Sequence, residues 1–199
     1  KSLQGNIDFT KIADAVVANR LHAISVTGSG YESGYAVTFF DAHSKIPEWH
    51  RVRREGKRTV LTLDHIMASA SLPLLFPAVF ISDEYFGDGA LRQTSPLAPA
   101  IHMGANHLLI IGTRDDSAIP TRPARSCPEP PSGGDIGGYA LDIIFHDSLE
   151  ADIERLQRVN DLVAHIPARK DSGGKMRLID YISINPSKSL RKLALEHQD

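Results

Sequence analysis

Cys127 is the only cysteine among the 199 residues, so no internal disulfide can form and a reducing compartment is the natural setting. No run of apolar residues approaches the ~20 that a helix needs to cross a bilayer, and no signal-peptide pattern is visible. Charge of one sign is also missing. The net charge is −2, which points to neither nucleic acid nor an anionic membrane as a partner of the whole surface. The nine histidines, at 22, 43, 50, 65, 102, 107, 146, 165 and 197, form no HExxH or paired-cysteine pattern, so neither a metal nor a cofactor is called for. Nor is there a G-x-S-x-G turn to carry a serine nucleophile; Gly30-Tyr31-Glu32-Ser33-Gly34 has its serine one place late.

What is present is ordinary for a globular chain, with 42% hydrophobic and 23% charged residues, and the length suits one domain. The chain opens on Lys1 and falls into helical register within a few residues, the pattern expected of a piece of a longer protein. Ile7, Phe9, Ile12, Val16 and Val17 predict an amphipathic helix over 9–20 with Thr10 as a cap. Leu21–Thr27 and Tyr35–Phe40 read as strands. The glycine-rich Gly28–Gly34 between them resembles a phosphate loop only superficially. A phosphate loop needs a helix N-terminus directly after it, and strand composition follows instead, so the segment reads as a hairpin turn.

Residues 41–58 hold Trp49 and a basic cluster of Arg51, Arg53, Arg54, Lys57 and Arg58. Arginine binds anionic head groups and phosphates bidentately. The interspersed Glu48, Glu55 and Gly56 favour a solvated loop instead. Thr62 is placed to cap a helix running to about Ser71, with Asp64 in its first turn. Ser69 and Ser71 lack the small flanking residues of a nucleophile elbow and read as helix-end hydroxyls.

The segment 76–114 is the most informative. Val79-Phe80-Ile81 predicts a short strand, Asp83-Glu84 a turn and Tyr85-Phe86 the return strand. Asp88 then stands between Gly87 and Gly89. Ser95 and Pro96 predict the start of a helix to Met103, and His107–Thr113 reads as a buried strand. Residues 115–138, with five prolines between Pro120 and Pro131 and two glycine pairs, are expected to form a mobile loop with Cys127 exposed. Tyr139 to about Ile166 predicts a long amphipathic helix, or two in sequence, with Glu154, Arg155 and Arg158 on the solvent face. A polar turn at 167–175, a strand over Leu178–Ile184 and a short C-terminal helix complete the expectation.

Tyr85-Phe86-Gly87-Asp88-Gly89-Ala90, followed by Ser95-Pro96-Leu97, an alanine-rich helix and an apolar strand, resembles the D-G-[GA] block of the patatin-like phospholipase family. So does its approach, from His65-Ile66-Met67-Ala68-Ser69-Ala70-Ser71-Leu72-Pro73 to Phe76-Pro77-Ala78. The resemblance is specific over 60–114 and looser at Glu154–Asn160, which is similar to a helix of the bacterial members.

The resemblance implies a three-layer α/β/α sandwich, incomplete at its N-terminal side, forming one partial domain over 1–199. It also implies a lipid acyl hydrolase with a serine–aspartate dyad. Asp88 would be the general base, with Gly87, Gly89 and Ala90 giving it room. The nucleophile serine and the glycine-rich oxyanion loop would precede Lys1, so the isolated chain is expected to be inactive. Expected partners are a lipid or ester substrate and, through the basic cluster, peripheral contact with a membrane; the expected location is cytoplasmic. The competing reading is a non-catalytic α/β interaction or regulatory module. A nucleotide-binding protein using Gly28–Gly34 is a third.

Overall fold

The computed structural model describes residues 7–43, 45–112, 130, 132–165 and 177–187. They belong to two compact units, Lys1–Gly104 and Ala105–Asp199.

The first unit is a mixed sheet with helices. Its elements are α1 (Phe9–Val17), β1 (Ala23–Gly30), β2 (Ala36–Ala42), β3 (Trp49–Arg51), β4 (Arg54–Arg58), α2 (Leu63–Ser69), β5 (Val79–Ile81), β6 (Glu84–Asp88), a 3-10 turn at Gly89–Leu91 and α3 (Ala98–His102). The six strands are ordered β3-β4-β2-β1-β6-β5. β2 and β4 pair in parallel and the other neighbours are antiparallel.

Alternation along the strands divides the core between two faces. Val37 and Phe39 of β2, Phe86 of β6 and Ile81 of β5 cluster with Leu61 and with Ala68 of α2, and Ile24 and Val26 of β1 pack against them. Phe40 and Ala42 point the other way and cluster with Ile46, Ala23, Trp49 and Met103. Asp88 follows Phe86 by two residues, so its position in the pleat belongs to the α2 side.

Several expectations are corrected. Asp8, not Thr10, caps α1: its Oδ1 accepts from the Thr10 backbone N–H at 3.1 Å, and the helix ends at Val17. Residues 49–58 are not a loop but the β3–β4 hairpin. Its basic residues have separate assignments. Arg58 donates to the carbonyls of Ala42, His43 and Ile46, and Lys57 pairs with Glu55 at 3.0 Å. The β5–β6 turn is Ser82-Asp83, and Glu84 is the buried first residue of β6. α2 stops at Ser69 rather than Ser71. Ser95 does not begin a helix at Pro96. It forms a turn, with Ala98 N–H donating to its carbonyl, and α3 starts at Ala98.

The second unit holds β7 (His107–Ile111), α4 (Gly133–His165) and β8 (Asp180–Ile184), with β7 and β8 parallel. Ile110, Leu156 and Ile179 are buried, but Leu109 and Ile111 are exposed, so β7 is not the buried strand expected. α4 begins at Gly133, inside the segment expected to be a loop. Once the periodic stretch nucleates a helix, each added residue costs little, which carries it back through glycines. The Asn160 side chain both donates to and accepts from the backbone of Ile179, at 2.8 and 3.1 Å, and holds the start of β8 on α4. Glu154, Arg155 and Arg158 are exposed as expected. Residues 113–129, with Cys127, the turn at 167–175 and the C-terminal helix lie outside the described residues.

Candidate functional site

The site begins with strand chemistry. The aromatic Tyr85 and Phe86 suit a pleated surface, and β6 pairs with β1 through Phe86↔Gly30, Gly87↔Ser29 and Asp88↔Gly28. Asp88 is therefore the last residue of a central strand. Its backbone N–H donates to the Ser71 carbonyl at 2.9 Å, tying the end of β6 to the end of α2. Its Oδ1 accepts from the Ala90 N–H at 2.8 Å and caps the 3-10 turn that follows.

Gly87, Gly89 and Ala90 stand where the sequence put them, beside the carboxylate. A Cβ at Gly89 would overlap the Thr27 backbone carbonyl oxygen, so the turn after Asp88 lies against β1 only because residue 89 is glycine. A Cβ at Gly87 would meet the hydroxyl end of Tyr31, a side chain that is half exposed and able to move. The Ser29 hydroxyl donates to the Gly89 carbonyl at 3.1 Å and fixes the same turn from β1.

Burial pushes the Asp88 carboxyl above the usual carboxylate range, opposed by the single hydrogen bond from Ala90. Among the described residues no hydrogen bond reaches its second oxygen. A half-buried carboxylate of raised pKa with one oxygen uncommitted can accept a proton from a hydroxyl brought to it. The chain leading to it, Leu74, Leu75 and Phe76, is strongly exposed although apolar, and Leu74 sits at φ 69°.

Two serines near Asp88 have their hydroxyls engaged elsewhere. Ser71 Oγ donates to the Met67 carbonyl at 2.6 Å, as a helix-end hydroxyl does, and Ser29 Oγ is committed to Gly89. Gly28–Gly30 are not part of the expected turn but the last residues of β1, paired with β2 and β6, and only residues 31–35 connect β1 to β2. The Ser33 N–H donates to buried Glu84 at 2.6 Å, and the Tyr85 N–H donates to Glu32 at 3.2 Å. The Gly30, Tyr31 and Gly34 N–H groups donate to backbone carbonyls, so with Ser33 on Glu84 the donors that a phosphate would need are taken. No group of three His, Cys, Asp or Glu among the described residues could hold a metal.

His65, which the sequence reading left without a role, completes the start of α2. Its Nδ1 accepts from the Thr62 N–H at 3.1 Å and meets the Thr62 hydroxyl at 2.8 Å, while its ring packs edge-on against Phe39 at 4.7 Å. Burial holds its pKa below the ordinary histidine value. The unfolded chain therefore binds more protons than the folded one below about pH 6.5, and stability falls as pH drops through that range. Urea midpoints between pH 7 and pH 5 should fall more steeply for the wild type than for His65→Gln; equal slopes would contradict this.

Two supports of Asp88 and its turn were not read from the sequence. The Ser71 carbonyl is backbone and carries no residue signature. Ser29 did leave one: Gly28-Ser29-Gly30 is a run of small residues, which marks close approach of another chain segment as readily as a turn.

The family model for patatin-like phospholipase matches residues 4–101, a span that includes Asp88-Gly89-Ala90 and ends within α3. It starts well before residue 60, and Glu154–Asn160 lies outside it. No curated protein and no solved structure matches the chain.

Proposed function

We propose that this chain is the acid-bearing later portion of a patatin-like serine acyl hydrolase, an esterase or phospholipase of lipid degradation. The observation that carries the reading is Asp88. It ends a central strand, is raised in pKa by burial, keeps one carboxylate oxygen uncommitted, and lies inside the span that the patatin-like model matches.

In this reading Asp88 takes the proton of a serine as that serine attacks the ester carbonyl, then returns it to the departing alcohol. Water, deprotonated by the same carboxylate, releases the acyl group in the second half. No histidine is needed in this reading, because burial makes the carboxylate a stronger base than an exposed one. Gly87, Gly89 and Ala90 keep the approach to the carboxylate narrow but open. The serine, on a G-x-S-x-G elbow, and the oxyanion loop precede Lys1. With them the mixed sheet becomes one domain, a three-layer α/β/α sandwich of the bacterial type, working in the cytoplasm or at a membrane surface. The exposed Leu74, Leu75 and Phe76 offer an apolar surface to an acyl chain.

The isolated 199-residue chain should then be inert. Loss of one oxyanion donor alone costs on the order of a hundredfold or more, and loss of the nucleophile costs further. Purified chain should hydrolyse a p-nitrophenyl ester no faster than buffer, and measurable turnover would contradict the proposal. If the complete protein carries a degenerate elbow and is also inert, the chain is an interaction module instead.

A further inference from the structure

The β3–β4 hairpin contains an arrangement that pairing alone does not explain. Arg51 and Arg54 are directly opposite each other in its register, next to Trp49 opposite Gly56. Residues directly opposite share a face, and like charges so placed repel. The carboxylates of the hairpin do not relieve this. Glu55 is engaged by His50 at 3.4 Å and by Lys57 at 3.0 Å, and Glu48 accepts from the Arg58 N–H at 2.8 Å.

Arg51 and Arg54 both line a shallow depression, open to solvent, whose wall includes Trp49, Gln93, Ser95 and His102 and no acidic residue. The wall is rigid where it is aromatic. Trp49 is stacked between Phe40 at 5.0 Å and His102 at 5.2 Å, and lies over Gly56, where a Cβ would overlap its ring. Burial, with Arg51 and Arg54 nearby, holds the His102 pKa below its ordinary value, so the ring is neutral at neutral pH and offers one N–H. Arg51 spends one N–H on the His50 carbonyl at 2.8 Å and keeps the rest of its fork.

We propose that Arg51 and Arg54, with Gln93 and His102, bind a phosphoryl oxyanion. The donors come from two strands (Arg51, Arg54), a loop (Gln93) and a helix (His102). The two forks supply the bidentate contacts that phosphate takes from arginine. The site is separate from Asp88 and stands whether or not the chain belongs to a hydrolase. The phosphoryl group is that of free phosphate or of a phospholipid head group.

The test is titration of the 199-residue chain with inorganic phosphate, at constant ionic strength set by chloride, followed by NMR of the arginine and histidine side chains. Saturable shifts at Arg51, Arg54 and His102 are expected, with a dissociation constant in the low millimolar range or tighter. Arg51→Ala and Arg54→Ala should each weaken binding about tenfold or more while keeping the wild-type amide spectrum. Cosedimentation with phosphatidylcholine vesicles, with and without phosphatidic acid, separates the sources. Phosphatidic acid-dependent binding that inorganic phosphate displaces identifies the head group, and phosphate binding without cosedimentation identifies the free ion. No saturable shift in the wild type, or unchanged affinity in both variants, would overturn the site.

Discussion

Asp88→Asn in the complete protein should reduce ester hydrolysis by at least about a thousandfold while leaving the fold intact. The asparagine oxygen can still accept from the Ala90 N–H, and among the described residues no ion pair depends on the Asp88 charge. What disappears is the ability to take a proton. The same substitution should make the protein more stable at neutral pH. Asp88 has a higher pKa folded than unfolded, so above the unfolded value the folded state holds the carboxylate at a disadvantage. That disadvantage is complete above the folded pKa and vanishes below about pH 4, where both states are protonated. A gain in stability at pH 7, fading in acid, is expected in denaturant melts. Activity near wild type, or a loss of stability at pH 7, would count against a strained, functional acid.

Gly89→Ala should be the most damaging small substitution near the site. Its Cβ would overlap the Thr27 carbonyl oxygen of β1, and backbone in a central strand cannot yield as a side-chain tip can. The turn must shift off β1, losing the Ser29–Gly89 hydrogen bond and moving Asp88 with it. A cost of about 2–3 kcal/mol is expected in chemical denaturation. Gly87→Ala is the contrast. The overlap there is with the end of the Tyr31 ring, which can swing into solvent, so the cost should stay under about 1 kcal/mol. Equal costs at the two glycines would mean that the turn is not seated on β1 as described.

The acid was legible in the sequence because its surroundings carry residue-type signals: an aromatic strand before it, glycines on both sides and apolar periodicity behind it. Strands β1, β2, β5 and β6 announced themselves in the same way. The β3–β4 hairpin did not, since Arg51, Arg54, Lys57 and Arg58 give it the composition of a solvated loop. Only β3, with Arg51, is an edge strand, where charge discourages further pairing; β4 carries its basic residues although paired on both sides. The parallel pairing of β2 with β4 has no local signature either, since it joins segments separated by the hairpin turn and β3. Asp8 and Thr10 both suit an N-cap, and only the backbone geometry distinguishes them. The contacts that hold the site were the least visible, because the Ser71 carbonyl and the Thr27 carbonyl are backbone atoms common to every residue.

Labelling of the complete protein with a fluorophosphonate, mapped by mass spectrometry, tests the role of Asp88 most directly. One serine should be modified, in a G-x-S-x-G elbow preceding Lys1, and Asp88→Asn should slow the modification by orders of magnitude. A label on a serine within these 199 residues, or labelling at the wild-type rate in Asp88→Asn, would contradict the assignment of Asp88 as the base of the dyad.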